Sequence, residues 1–378
     1  MDPKAIFRNL EKRQGWFRKT LRQLVEQESP SEDALSVNAA VDLIVSLARD
    51  QKARVKRHKQ SKFGDVLELR FGPTNSIHKP ILLLGHLDTV WPIGTLRNMP
   101  WREADGRYWG PGVLDMKAGV VMALTALSVL REMKLARPVT LLLNSDEEVG
   151  SPISRAITER LAMESSAVFV LEPAQGLAYK TARKGVGLFH VEVTGVGAHS
   201  GVDFERGHSA ILELAKQIQT ISNFTNLARK LTVNCGVIAG GTRSNVVASQ
   251  THVEVDVRIA KASDAAHLEK LFRGLKVSDP HCKLTITGGM NRPPMERKAG
   301  TIALFKKARV LAGQLGFVLE EAATGGGSDG NFTAALRVPT LDGMGAVGEG
   351  AHAAHESVVI EHLIPRTALL AAMIANVE

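Results

Sequence analysis

The 378-residue chain has only two cysteines, Cys235 and Cys282. Their spacing fits neither a zinc finger nor a disulfide framework, so buried thiols in a reducing compartment are the expectation. No apolar run approaches the roughly 20 residues of a membrane span. The start, Met1-Asp2-Pro3-Lys4 followed by charged helix-like sequence, lacks the apolar core of a signal peptide. A cytoplasmic location is therefore expected. Internal repeats and low-complexity linkers are missing as well. The basic cluster Lys52, Arg54, Lys56, Arg57 and Lys59 has no interleaved aromatics or nucleic-acid motif, and it reads as a solvated strand and loop. The net charge of +8 would instead suit an anionic small substrate through electrostatic steering. A content of 44% hydrophobic and 23% charged residues excludes disorder, and the length favours two domains.

Strand and helix patterns alternate through the first half. Val37, Val41, Ile44, Val45 and Ala48 share a helical face after Ser31, an N-cap candidate followed by Glu32 and Asp33. Strands are expected near 66–71, 81–84, 139–144 and 167–171, with helices near 117–133 and 153–162. This alternation indicates a largely parallel sheet. From about 184 the order becomes β-α-β-β-α-β, with strands at 187–194, 231–238, 251–259 and 283–287 and helices at 209–221 and 265–275. That is the ferredoxin-like order. After Pro293-Pro294 the α/β character resumes with a helix at 301–315, a Gly-rich loop, a strand near 339–341 and a last helix from about Glu361. One domain (184–293) is thus inserted into another (1–183 and 294–378).

Chemistry-bearing residues gather at strand exits. Ile81-Leu82-Leu83-Leu84 reads as a strand buried on both faces, and Gly85-His86-Leu87-Asp88 follows it. Period-two geometry points His86 and Asp88 to one side, so the carboxylate can orient the imidazole. Gly110-Pro111-Gly112-Val113-Leu114-Asp115 is a tight turn delivering an aspartate at a helix start. Asn144-Ser145-Asp146-Glu147-Glu148 ends a buried strand in three acids, whose mutual repulsion calls for a cation. Val170-Leu171-Glu172 ends another strand in an acid, and a late loop carries His352 and His355. Each feature alone has an ordinary reading as a cap or loop. Together they suit zinc, with manganese or cobalt as substitutes, and supply enough oxygen ligands for two metals sharing a bridge. Asp146 reads as solvent-facing or a local cap, and His190 and His208 as ordinary domain residues. Arg258 is open between a structural ion pair and a substrate contact. The Gly325–Gly327 loop lacks the Gly-Lys-Ser/Thr of a P-loop.

The set GHLDTV, GPGVLDMKAG, NSDEEVGS, LEP and a late histidine resembles the dinuclear-zinc peptidase and deacylase family, which includes glutamate carboxypeptidase, aminoacylase and acetylornithine deacetylase. The branch of glutamate carboxypeptidase is the nearest in look, through Gly240–Val247, Asp256-Val257-Arg258, Asn291-Arg292-Pro293-Pro294 and Gly325–Asn331. The resemblance implies an α/β catalytic domain with a mixed sheet flanked by helices, and an inserted ferredoxin-like α+β dimerisation (lid) domain. It implies two Zn²⁺ ions per subunit. Asp115 would bridge them, His86 and Glu172 would complete one site, and Glu148 and His355 the other. His355 is preferred to His352 because a polar residue follows it directly. Asp88 would orient His86, and Glu147 would be the general base. His199, on the inserted domain, would stabilise the substrate carbonyl across a homodimer. Asn245 and Arg292, with Gly326, would contact the substrate carboxylate.

The implied reaction is hydrolysis of an amide next to a free C-terminal carboxylate, on a small peptide and not on nucleic acid or membrane. An N-acyl-amino-acid deacylase is the alternative and shares every metal ligand. Glu172 sets both apart from the aminopeptidase branch, where aspartate is usual at that place. A catalytically dead homologue should lack a ligand or the base, and none is missing.

Overall fold

In the computed structural model, which describes residues 1–377, the chain divides into two compact units. One comprises Met1–Ala182, Arg297–Thr324 and the chain from Ser328 onward; the other comprises Arg183–Glu296 and Gly325–Gly327. The first unit is built on a six-stranded sheet. Its order is Arg54–His58, Val66–Phe71, Val139–Asn144, Ile81–His86, Ala167–Val170 and Thr340–Leu341. The last four strands run parallel, while Arg54–His58 and Val66–Phe71 form an antiparallel edge. Every residue of Ile81–His86 and Val139–Asn144 is buried, which explains their uninterrupted apolar sequence.

Alternate residues of this sheet serve two cores. Leu67, Leu69, Ile81, Leu83, Leu141 and Leu143 pack with the N-terminal helices, Ala118–Glu132, Ala299–Gln314 and Ile360–Asn376. Val66, Leu82, Leu84, Leu142, Val168 and Val170 pack with Leu161 and Ala162 of the helix Arg155–Glu164. The result is a sheet between two helical layers. Contrary to the sequence expectation, one segment, Val113–Glu132, has the length and mean hydropathy of a membrane span, but 89% of its apolar window is buried. It is the central helix of the larger core. Its Gly119 lies so close to the neighbouring strand exit that a Cβ there would sit 2.2 Å from the Leu171 carbonyl oxygen.

The helix Ala34–Asp50 buries Val37, Val41, Ile44, Val45 and Ala48 as the spacing requires. Its cap differs from expectation. Asp33, not Ser31, accepts from the N–H groups of Leu35 and Ser36, and Ser31 is used elsewhere. The basic run at 54–59 is tied into local ion pairs: Arg57 and Lys59 both reach Asp65, and His58 reaches Glu68.

The second unit is a four-stranded antiparallel sheet in the order Thr232–Gly240, Gln250–Ile259, Gly185–Thr194, Lys283–Arg292. Helices Ala210–Ser222 and Ser263–Arg273 share its core, where Phe189 stacks on Phe272 with centroids 3.8 Å apart. Gly325–Gly327 joins this unit rather than the C-terminal part of the chain. The Arg183 guanidinium donates to the carbonyls of Gly326 (3.3 Å) and Gly327 (3.0 Å), and Arg258 donates to that of Gly325 (3.4 Å).

Candidate metal centre

Parallel pairing decides where the acids meet. His86 is in register with Asn144, and Leu84 with Val170. The residues that follow each strand, Glu147 and Glu148 on one side and Glu172 on the other, therefore emerge at the same sheet edge as His86. One ligand atom each from His86, Asp115 and Glu148 lies within 4.8 Å of the others, and the same holds for His86, Glu147 and Glu172. His86 Nε2 is 3.3 Å from Asp115 Oδ1 and 3.6 Å from Glu172 Oε1.

His86 is held as a metal ligand needs to be, though by a different atom than expected. Its Nδ1–H donates to the backbone carbonyl of Asp88 at 2.9 Å, which aims Nε2 at the acids. The Asp88 carboxylate, fully buried and 3.5 Å from Nδ1, has further work. It accepts from the N–H groups of Glu147 (3.2 Å) and Glu148 (3.1 Å) and from the Ser31 hydroxyl (2.7 Å). Asp88 thus anchors the backbone that carries Glu147 and Glu148. Beneath it the segment Gln27–Ser31 forms a floor. Ser29 Oγ donates to the Leu87 carbonyl, the Thr89 N–H to the Ser29 carbonyl, and Lys117 Nζ to the Gln27 carbonyl.

A small antiparallel sheet brings the other two loops together. Arg107–Trp109 pairs with Ser357–Val359, which pairs with Gly348–Glu349. The first strand leads into the Asp115 loop, turned by Gly112 in the left-handed region at φ 69°. The last two flank the histidine loop. Here the structure brings His352, rather than the expected His355, beside the acids. His352 Nε2 lies 3.2 Å from Glu148 Oε2 and 3.4 Å from Asp115 Oδ2. The His355 ring sits against Gly350 and makes no hydrogen bond or ion pair among the described residues. The cause is Glu356, which is wholly buried. Its Oε2 accepts from Trp91 Nε1 (2.8 Å) and the Gly112 N–H (2.9 Å), and its Oε1 from the N–H groups of Leu114 (2.8 Å) and Asp115 (3.0 Å). With Glu356 turned inward, its neighbour His355 faces solvent, and a residue three positions earlier reaches the acids. His352 does so from the left-handed region, at φ 62°.

A third buried network secures the acid loop. Asn144 Nδ2 donates to Asp329 (2.6 Å) and Thr158 (3.0 Å), and the Ser151 hydroxyl also donates to Asp329. Asp146 is a cap rather than a solvent-facing acid: wholly buried, it accepts from the N–H groups of Ile153 and Ser154. Burial pushes its carboxyl pKa up, and Asp329 adds to the rise.

In the second unit, two pairs of expected residues adjoin. His199 and Val246 form a β-bridge, and the Ser200 N–H donates to the Asn245 carbonyl, so His199 and Asn245 lie on adjoining backbone. The Gly201 N–H donates to His199 Nδ1 (3.2 Å), leaving Nε2 as the N–H donor of that exposed ring. Arg292, only 7% exposed, lies at the end of its strand beside Gly327, where a Cβ would come within 3.0 Å of its Cδ. Gly326 stands next to it in sequence and takes the Arg183 bond. Arg258 pairs with Asp256, its Nη2 2.8 Å from Oδ2. His208 has a partner in Asp279 (2.8 Å) and stacks on His281.

The first-unit donors suit a divalent cation. His86 Nε2 and Glu148 Oε1 are buried without a hydrogen-bond partner, in a site otherwise crowded with carboxylate oxygens. Without a cation the cluster balances itself with protons. Burial works to lower the His86 pKa, yet Asp115, Asp88 and Glu172 carry it well above its usual range. Asp115 and Glu148 raise the half-exposed His352 to about 10 against a smaller effect of burial. Burial opposes ionisation of Asp115, but the two imidazoles hold its carboxyl well below the usual range. Glu148 moves up, chiefly through burial.

Comparison with known proteins agrees with this geometry. The profile of Peptidase family M20/M25/M40 matches residues 82–376. Carboxypeptidase G2 of Pseudomonas sp. (strain RS-16) is 29% identical over 365 residues, covering 94% of this chain and 87% of the relative. Acetylornithine deacetylase of Myxococcus xanthus is 27% identical over 325 residues, with 81% and 82% covered. Among solved structures, aminopeptidase PepT from Bacillus cereus superposes with a TM-score of 0.77 at 21% identity, covering 96% of this chain and 98% of that one. The M20 family metallo-carboxypeptidase Sso-CP2 from Sulfolobus solfataricus gives 0.75 at 15% identity, with 95% and 98% covered. The strand ends that gather these acids and histidines, from Leu82 to the last helix, fall inside the matched segment, and the chain belongs to the peptidase family M20/M25/M40.

Proposed function

We propose that this member of the family is a two-zinc carboxypeptidase that releases an amino acid from the C-terminus of a small peptide. The observation that carries the hydrolytic part is the convergence of His86, Asp115, Glu148, Glu172 and His352 with Glu147 at one sheet edge. The 29% identity to carboxypeptidase G2 over nearly the whole chain supports the choice of substrate end. A deacylase is the second reading, favoured by the likeness to acetylornithine deacetylase.

A pair of divalent cations in such a site polarises an amide carbonyl and acidifies water. Asp115 would lie between the two, with His86 and Glu172 on one side and Glu148 and His352 on the other. Glu147 would take the water's proton and pass it to the leaving amine, its backbone fixed by the Asp88 carboxylate. His199 presents an N–H of the kind that stabilises a developing oxyanion. Arg292 offers a planar fork for a carboxylate, supported by Asn245. A homodimer would fit the second unit. Its edge strand Thr232–Gly240 exposes Val237 (52%) and Ile238 (60%), and the helix Ala210–Ser222 exposes Leu212 (64%).

Four outcomes are expected. Glu147→Gln should retain both metals while turnover falls by about 10²–10⁴-fold, the usual contribution of a positioned general base; near-normal hydrolysis would remove Glu147 from that role. His352→Ala should lose one metal equivalent by elemental analysis, and His355→Ala should keep two; the reverse result would restore His355 as the ligand. In a screen of C-terminal-glutamate, N-acetyl and N-succinyl substrates, the first class should be cleaved best. Arg292→Ala should then raise KM about tenfold or more for it, given the 1.5–3 kcal/mol typical of a hydrogen bond to a charged group. Preference for the N-acyl compounds would favour the deacylase reading.

The pH dependence follows from the two imidazoles. The His352 imidazole, raised to about 10, carries a proton at pH 7 in the metal-free state, and the His86 pKa is shifted in the same direction, so zinc binding must displace protons. Apparent affinity should rise with pH from 6 to 8, by about one decade per unit for each proton released. Calorimetry in buffers of different ionisation enthalpy counts those protons, and zero release would contradict the assignment. The metal-free fold behaves oppositely. The His352 ion pairs contribute full stability below pH 6.5, and that contribution is lost as pH rises through about 10.

A further inference from the structure

We infer that Glu356 is a positioning residue for the metal centre, one buried carboxylate that ties the two loops bearing Asp115 and His352 to each other and to the loop after Asp88. The inference rests on the two-metal reading above. Glu356 touches no metal ligand side chain. It ends the loop carrying His352, its Oε1 accepts from the backbone N–H of Asp115, and its Oε2 accepts from Trp91 Nε1 in the loop after Asp88. Two more amides of the Asp115 loop, at Gly112 and Leu114, complete its shell. The backbone adds a further tie, since the Gly110 N–H donates to the Glu356 carbonyl (3.4 Å).

This is an expensive arrangement for a structural role alone. A wholly buried carboxylate forfeits a large hydration energy, which only several charge-assisted hydrogen bonds or a counter-charge can offset. Both are present. Four donors surround Glu356, and Lys117, 1% exposed, interacts electrostatically with it and with Glu28. Lys117 Nζ is itself anchored on the Gln27 carbonyl at 2.8 Å, in the floor segment beneath Asp88. Glu28 closes the circuit by accepting from the N–H groups of Gly94 (2.8 Å) and Leu96 (2.9 Å), in the loop that also holds Trp91. An apolar side chain could fill the same space without that cost. What it could not do is accept from the amides of the Asp115 loop while turning His355 out and His352 in.

The charge and shape predict which metal depends on the clamp. His86 is aimed by Asp88, and Glu172 leaves its own sheet strand, so their site has support independent of Glu356. His352 depends on the loop that Glu356 terminates. Glu356→Gln is nearly isosteric but turns one acceptor oxygen into a donor, setting it against Trp91 Nε1 and an amide.

Zinc titration against a chromophoric chelator should show two sites in the wild type and one near-normal site in Glu356→Gln. The second site should weaken by about 10–100-fold, the usual effect of losing an outer partner of a metal site. Cobalt titration should show the visible absorption of the second equivalent altered and that of the first preserved. Glu356→Asp, which keeps the charge but shortens the reach, should fall between them and serves if the glutamine variant does not fold. A folded fraction of either variant that binds two zinc ions with wild-type affinity and wild-type cobalt spectra would overturn the inference and leave Glu356 a purely structural acid. A wild type binding fewer than two metals would instead overturn the two-metal reading.

Discussion

Concentrating carboxylates is the constraint on which the first unit is organised. Asp115, Glu147, Glu148 and Glu172 all bring oxygens to the shell around His86. Such a group repels itself, so it persists only where the surrounding structure holds each member and a cation or proton compensates. The means of holding are visible at every member. Parallel strand register delivers Glu147, Glu148 and Glu172 to one edge, and Asp88 grips the backbone of the first two. Asp329 braces the strand end behind them through Asn144, and Glu356 fixes the loop of Asp115.

These supports are themselves buried acids, which divides the carboxylates of the site into two kinds. Asp88, Asp329 and Glu356 receive backbone or side-chain donors on both oxygens and are satisfied within the protein, whereas Asp146 accepts on Oδ2 alone. Glu148 keeps a buried oxygen without a hydrogen bond, as does the His86 ring at Nε2. That contrast separates groups that build from groups that bind. The acid-rich sequence Ser145-Asp146-Glu147-Glu148 carries three roles in three consecutive residues: a cap, a base candidate and a ligand candidate.

The motif Gly325–Asn331 shows how one stretch of sequence can serve both units. Its glycines take the Arg183 and Arg258 bonds in the second unit, while Ser328 and Asp329 bond Asp342 and Asn144 in the first. Nothing in its composition separates these duties, because glycine has no side chain to declare a partner. The division appears only once Arg183 is seen donating to two consecutive carbonyls.

The periodicities of Ile81–Leu84, Val139–Asn144 and the insert from Lys184 onward were enough to read a parallel sheet interrupted by a ferredoxin-like unit. Strand-exit acids were enough to read a candidate metal centre, since those signals are local and repeat within a few residues. What tertiary structure alone decided were relations between distant segments. Ser31 was read as a cap, but Asp33 caps the helix and Ser31 serves Asp88, 57 positions away. His355 was chosen over His352 by its neighbour's polarity, yet that neighbour, Glu356, is drawn inward by amides more than 240 positions earlier, at Gly112 to Asp115. Which of two nearby histidines meets the acids depends on where the chain between them turns. That turn is set by hydrogen bonds to a loop that only folding brings alongside.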